Sequence, residues 1–397
     1  MSKIFSKSGL TKNVVFLGIV SGLTDISSEM LYPVVPIFLT QVLKASMTAV
    51  GFIEGAAEAT ASLLKIAGGI WSDRVAKRKP FVIAGYSLSS ISKPLLAFAV
   101  SWHCVLFARL VDRTGKGIRT SARDALIASS TEKEHWGKAF GFHRAMDTLG
   151  AAAGPLISIF LLSVMHLDFR TVFLIAFVPA IAGVLILLKF VKEAPQTGQT
   201  PPLAAAGTAQ KPPMSREFKI FLLIYSIFAI GNSSDVFLIL KAKDTGFTTT
   251  SVIFAYTAYN IVYALFATPA GWLSDRIGKL KTIMFGLIVF AIVYSGFGLT
   301  ASAPAIWILF MFYGFYGTFT EGIVKAVISN LSVSENRGTA MGYFHASAGL
   351  LMFAASTIAG FLWSKVSPSA PFVMGAACSL ASACLLFFWL KAKKLAF

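Results

Sequence analysis

Charge is scarce in this sequence: 13% of its 397 residues are Asp, Glu, Lys or Arg, about half of the ~25% usual in a soluble domain. Acidic residues are the scarcer sign, 18 against 35 basic ones, and there are only three cysteines, Cys104, Cys378 and Cys384. An odd number of cysteines without motif spacing argues against a disulfide framework and a zinc site. Their position in or beside apolar runs makes them packing residues. A nucleotide loop is also missing. The stretch "GKGIRTS" (115–121) has a lysine, but it lies inside an oily run without the preceding strand that a phosphate loop requires. No metal-ligand cluster and no recognisable pair of nucleophile and base stand out, so neither a cofactor nor an enzymatic activity is expected.

What fills the chain instead is apolar: 56% hydrophobic residues, 35 of the 397 being phenylalanine. A membrane span needs about 20 mostly apolar residues. Twelve such runs can be placed, at 14–41, 47–71, 80–102, 104–130, 138–164, 169–191, 217–240, 248–273, 280–300, 304–330, 338–364 and 370–390. The expectation is an all-α membrane protein in a lipid bilayer, with little chain left for a soluble domain. The net charge of +17 suggests nucleic acid at first sight, but its distribution does not. With the N-terminus cytoplasmic, 21 Lys and Arg fall in cytoplasmic segments and five outside (Lys44, Arg170, Lys241, Lys243, Lys365). That is the positive-inside bias, and it points to an inner (cytoplasmic) membrane protein with both termini cytoplasmic. The apolar run after "MSKIFSKSGLTKN" contains Asp25 and Glu29 and no small-residue cleavage site, so it reads as a span rather than as a removed signal peptide.

The one long polar stretch, "EAPQTGQTPPLAAAGTAQKPPMSRE" (193–217), divides the spans six and six and reads as a flexible linker. The expected division is 1–192, linker 193–216, and 217–397. The halves repeat each other. "GGIWSDRVAKRK" (68–79) returns as "AGWLSDRIGKLK" (270–281), and "GKAFGFHRA" (137–145) returns as "GTAMGYFHA" (338–346). Parallel six-helix repeats are a transporter architecture.

On these residues the whole chain resembles the major facilitator superfamily. The family's signature after the second helix is matched by Gly69, Asp73, Arg74, Arg78 and Lys79, with Ala76 where the family prefers Gly. Gly271, Asp275, Arg276, Gly278 and Lys281 match it again, with Leu280 replacing one basic residue. The resemblance implies a fold of two six-helix bundles related by a pseudo-two-fold axis. It also implies that the first, fourth, seventh and tenth helices line a cavity. The paired loops imply a conformational gate, because an Asp at a helix end can pair with a neighbouring basic group and latch two helices. A weaker resemblance is to the antiporter motif of the fifth helix, carried by Gly150, Gly154 and Pro155; Leu156, Ile157 and Ser158 follow where the family expects glycines.

The charges inside the spans carry the functional expectation. Arg109, Asp112, Arg113, Lys116, Arg119, Arg123 and Asp124 lie in the fourth span, and at ~100° per residue they share about 140° of arc. Burying a charge in the bilayer costs several kcal/mol. Nine acids (Asp25, Glu29, Glu54, Glu58, Asp112, Asp124, Asp147, Asp235, Glu321) and nine bases (Lys65, Lys93, Arg109, Arg113, Lys116, Arg119, Arg123, Arg144, Lys325) lie within the spans, a balance that permits pairing. Asp25, Glu29, Glu54, Glu58, Asp235 and Glu321 are the expected proton carriers. Arg109, Asp112, Arg113, Lys116, Asn232, Asp235, Tyr256 and Asn260 are the expected solute contacts, since a guanidinium clamps an anion well. Arg119, Arg123, Asp124 and Arg144 are read as structural ion pairs, and His143 and His345 as structural. "GNSSD" (231–235) and "SGLTDISSE" (21–29) are read as possible breaks in their helices.

The resulting expectation is a monomeric, proton-coupled secondary transporter moving a small organic solute, with efflux of a drug or metabolite leading. The basic excess of the fourth span keeps open uptake of an anionic metabolite or siderophore. A receptor or scaffold that has lost transport is the third reading.

Overall fold

The computed structural model describes residues 10–75, 77–132, 135–193, 214–332 and 337–393; a few side chains at helix ends (69–70, 72–75, 137, 337–338, 393) are also outside the described set. Among the described residues the chain is helical throughout, without strands. The helices are α1 (Lys12–Leu31), α2 (Met47–Val75), α3 (Lys79–Ala97), α4 (Trp102–Ser129), α5 (Trp136–Ile159), α6 (Phe169–Phe190), α7 (Arg216–Gly231), α8 (Val236–Asp244), α9 (Thr249–Ile277), α10 (Lys279–Leu299), α11 (Ala303–Leu331), α12 (Arg337–Lys365) and α13 (Ala370–Lys393). A helix stands at each of the twelve expected runs. Nine spans are long and apolar enough to cross a bilayer by composition alone. The other three, α2, α3 and α4, include the segments that carry most of the buried charge of the first half.

Helix breaks fall where the backbone chemistry demands them. The first span does not break at Asp25; α1 runs unbroken through 21–29. It stops instead at Tyr32, where Pro33 and Pro36 remove two N–H donors, and resumes as Val35–Ile37 and a π-helical turn, Phe38–Val42. The seventh span does break at "NSSD": α7 ends at Gly231, Asn232 takes a non-helical ψ of 80°, and α8 restarts after Asp235. Side-chain hydroxyls hold several starts. Thr11 accepts from the Val14 N–H, Ser215 from Phe218 and Thr248 from Ser251, each satisfying a donor that the helix leaves over.

The chain forms two compact units. The first comprises Met1–Val35 and Thr60–Ala209. Within it α1 packs along α5 and α6, and α3 along α4 and α6. Its apolar core is built from Val14, Leu17 and Val20 of α1 with Val82 and Tyr86 of α3, Leu126 and Ile127 of α4, and Leu187 of α6.

The second unit comprises Pro36–Ala59 and Gln210–Phe397. It takes in the first half of α2, whose Gly51 and Gly55 lie so close to α12 that an added Cβ would meet backbone at Ser356 and Phe353. Its interior is aromatic: Phe290 stacks on Tyr294 at 3.8 Å and meets Phe228 edge-on at 5.0 Å, and Phe297 meets Phe310 edge-on at 5.3 Å. Such pairs add to area burial through the geometry of their rings.

Candidate functional site

In the first unit, α1, α3 and α4 enclose a small cleft of about 50 Å³ whose lining includes Asp25, Glu29, Lys93, Arg109, Asp112, Arg113, Lys116 and Arg119. Six residues expected from the sequence (Asp25, Glu29, Arg109, Asp112, Arg113, Lys116) therefore meet in one place. The volume suits a carboxylate or an inorganic oxyanion and is far below the ~300–1,000 Å³ of a drug-sized pocket. Arg109, Arg113, Arg119 and Asp112 are all buried.

Asp112 has a committed partner. Lys93 Nζ lies 2.9 Å from Asp112 Oδ1, the Ser92 hydroxyl lies 3.4 Å from the same oxygen, and the Ser89 hydroxyl donates to the Asp112 carbonyl. The carboxylate thus ties α4 to α3. Lys93 was absent from the expected site residues, although the signal was legible: it is the one charged residue between Pro80 and Trp102. Arg119 is held in another way, donating to the Ser89 hydroxyl at 2.5 Å and lying 4.5 Å over the Tyr86 ring. Arg123 grips Asp124 at 2.8 Å and reaches Ser21 on α1 at 3.3 Å.

Gly150 and Gly154 press α5 against the acidic face of α1. A Cβ on Gly150 would stand 2.6 Å from the Gly22 carbonyl and 2.8 Å from Asp25 Cβ; one on Gly154 would stand 2.7 Å from the Ile26 carbonyl and 2.8 Å from Glu29 Cβ. The two glycines of the partial antiporter motif are therefore the packing surface directly behind the two acids. Ser158, where the family expects glycine, donates to the Met30 carbonyl at 2.6 Å.

The second unit gathers the remaining expected residues around the break between α7 and α8. Tyr313 donates to Asp235 Oδ1 at 2.7 Å, Asn232 donates to the Tyr316 hydroxyl at 3.2 Å, and Tyr263 donates to Glu321 Oε2 at 3.0 Å. The Tyr259 ring lies 5.1 Å from Tyr313 and 5.7 Å from Tyr256. Glu58 and Glu321 are within electrostatic reach of Asp235, while Glu54 is buried further along α2. Asn260 turns back to the Tyr256 carbonyl of its own helix at 3.2 Å. Tyr259 could line the cavity on the sequence alone, but Tyr313 and Tyr316 were not among the expected site residues. Their spacing gives no signal, because tyrosines in a span usually pack.

Of the first gating motif, Gly69, Asp73 and Arg74 lie in the last turns of α2, and the side chains of Asp73 and Arg74 are outside the described set. Arg78 and Lys79 lie inside. Their backbone N–H groups donate to the two oxygens of Glu193 at 3.1 and 2.9 Å, so a carboxylate caps the start of α3, and the Arg78 side chain donates to the Ala125 carbonyl near the end of α4. In the second motif, Asp275 pairs with Lys279 at 3.1 Å across the joint between α9 and α10. The joint itself is Gly278, at φ +97°, a conformation that a side chain disfavours. Gly271 leaves open space beside α9, and Arg276 is exposed.

A helical chain with repeated halves, a charged cleft inside its spans and one loop motif that occurs twice is a multi-pass membrane protein built as a transporter. The Major Facilitator Superfamily model matches residues 17–240 and 220–396, and the chain belongs to that family. It is 39% identical over 387 residues to an uncharacterized MFS-type transporter of Methanocaldococcus jannaschii, covering 96% of this chain and 95% of the relative. It is 26% identical to the multi-drug resistance efflux pump PmrA of Streptococcus pneumoniae over 78% of each chain. Among solved structures, the nucleoside transporter NupG superposes with a TM-score of 0.77 at 14% identity, covering 96% of this chain and all of that one. That likeness shows the major facilitator fold.

Proposed function

We propose that this transporter exports a small organic anion in exchange for protons, as a monomer in the cytoplasmic membrane with both termini cytoplasmic. The observation that carries the reading is the composition of the cleft in the first unit: five bases (Lys93, Arg109, Arg113, Lys116, Arg119) face three acids (Asp25, Glu29, Asp112). With every group ionised the lining carries an excess of positive charge, and an anionic solute balances it. Arg109 and Arg113, one turn apart on α4, offer planar forks to a carboxylate or phosphate oxygen pair. Asp25 and Glu29, one turn apart on α1, are the proton carriers. Asp235 and Glu321, hydrogen-bonded by tyrosines in the second unit, are a second pair of proton carriers.

Outward movement is supported by the Gly150–Gly154 seam, the part of the antiporter motif retained here, and by the efflux pump among the relatives. The test has two steps. A thermal-shift screen of purified protein against carboxylates, phosphates, organic cations and neutral lipophiles finds the class that binds the folded state, because binding raises apparent stability. Proton flux driven by the best anion is then measured in proteoliposomes for wild type, Asp25→Asn and Glu29→Gln. The expected result is stabilisation by an anion and loss of proton flux in at least one variant. Stabilisation by cations alone, or full flux in both folded variants, overturns the proposal.

A further inference from the structure

One buried ionisable pair stands outside this cleft. His143 Nδ1 lies 3.4 Å from Asp147 Oδ2, one turn on along α5. Both side chains sit well inside the helix: α5 starts at Trp136, so His143 is about 10 Å along it at 1.5 Å per residue. His143 is only 4% exposed, and its second nitrogen, Nε2, makes no hydrogen bond to the described protein; neither does the second Asp147 oxygen, Oδ1. A pair that only fixed the register of α5 would have its remaining donors and acceptors satisfied too. This one keeps one valence open at each end.

The open ends lie along a line of ionisable groups. α1 and α5 run side by side in the same direction, Gly18 meeting Phe142, Gly22 meeting Met146, Gly150 meeting Asp25 and Gly154 meeting Glu29. Asp147 is therefore next to α1 at the level between Ser21 and Asp25, and it is within electrostatic reach of Asp25. The order along the seam is His143, Asp147, Asp25, Glu29, with about 6 Å of helix rise per four-residue step. The last two open into the cleft. The other charged or polar groups facing the line are Ser21 of α1 and, from α4, Arg123, which is itself gripped by Asp124, with Lys116 and Arg119 beside Asp25.

We propose that His143 and Asp147 form a proton relay between the N-terminal end of α5 and the Asp25–Glu29 pair. His143 takes up a proton at Nε2 and gives one from Nδ1 to Asp147 Oδ2. Asp147, now neutral, delivers a proton from its carboxyl to Asp25 across one water; the imidazole is left neutral as the Nε2–H tautomer, and rotation of the ring presents an N–H to Asp147 and a bare nitrogen to the entry side for the next transfer. Each transfer breaks one N–H or O–H bond and makes another, and no other reactant is consumed. The relay deepens the proton-coupling reading above and rests on it.

The test needs no solute, because its probe is the proton. Purified protein in lipid nanodiscs is taken rapidly from alkaline to acid buffer while infrared difference spectroscopy follows the protonated carboxyl bands. The bands of Asp25 and Glu29 are assigned by their loss in Asp25→Asn and Glu29→Gln. In His143→Gln and in Asp147→Asn the bands are expected to reach their wild-type amplitude at least about tenfold more slowly, as when a positioned acid–base group is lost. Asp147→Glu, which keeps the carboxyl, is expected to restore most of the rate, an outcome that a purely structural role does not produce. Rates within twofold of wild type in both folded variants overturn the relay, and slowing in Asp147→Asn alone overturns the role of His143. Absence of both bands in wild type at every pH overturns the coupling reading itself, so the two failures are distinguishable.

Discussion

Lys93 is the only charge in its stretch of α3, and the energetics of the membrane interior leave it one course: to find a carboxylate. Asp112 is that carboxylate, at 2.9 Å. Removing one member of such a pair leaves the other buried and uncompensated, at a cost of about 3–5 kcal/mol. Asp112→Asn is therefore expected to lower the thermal midpoint of the purified protein more than any other single neutralisation in the cleft, and Lys93→Met with Asp112→Leu together to recover much of the loss. Arg113 differs because it faces the cleft as a guanidinium. Arg113→Lys keeps the charge and loses the fork, so binding of an anion is expected to weaken by roughly 1–3 kcal/mol, the range for hydrogen bonds to charged groups, with little change for a neutral ligand in the same titration. Arg119→Lys removes the stacking on Tyr86 and the bond to Ser89 and is expected to change stability more than affinity. The sequence alone places the stripe on α4, since charge at helical spacing is a local property. It does not show which member is committed to Lys93, because that depends on how α3 packs.

Elements were legible to different degrees, for physical reasons. Apolar runs locate all twelve spans, but among the described residues only nine are apolar enough to cross a bilayer on composition alone; each span must satisfy its backbone internally, and α2, α3 and α4 bury charge as well. The interruption at Asn232–Asp235 was visible as small polar residues in an apolar run. The similar composition of 21–29 misleads: Ser21, Thr24 and Ser27 are buried in an unbroken α1, and Thr24 satisfies its hydroxyl on the Val20 carbonyl. Small polar residues either break a helix or bond back to it, and composition does not choose between the two. The glycines of α5, which from the sequence resemble part of an antiporter motif, form the surface packed against Asp25 and Glu29. Gly154→Val is expected to cost about 1–3 kcal/mol as an overpacked contact, seen as a lower thermal midpoint, and to perturb proton flux even in the fraction that folds. Gly278→Ala is expected to cost about 1 kcal/mol or more, since alanine at a positive φ destabilises beyond its gain in the unfolded chain.

For the molecule as a whole, the duplication was the most informative signal in the sequence. Two loops of the same pattern, 202 positions apart, define a repeat without reference to any side-chain contact. In the second loop Asp275 bridges to Lys279 over the glycine joint. Asp275→Asn is expected to slow transport while leaving affinity for the solute within about twofold, since the residue is exposed and its one ion pair is local to the loop; a titration paired with a flux assay separates the two effects. A variant with lost binding and normal flux per bound solute would contradict this. What the repeat could not reveal is the allegiance of residues 36–59. They are encoded with the first repeat, but their contacts are with the second unit.

That allegiance bears on how the gene could be divided. If the coding sequence were split within 193–216 and the two fragments produced separately, the C-terminal fragment would lack the segment whose Gly51 and Gly55 fit against Phe353 and Ser356. It would expose a notch shaped for another chain. Its partner would carry, at residues 36–59, the insert that fits that notch. Co-produced fragments would therefore be mutually dependent, each completed only by complementation, and a viable split would come from duplicating residues 36–59 at the head of the second fragment.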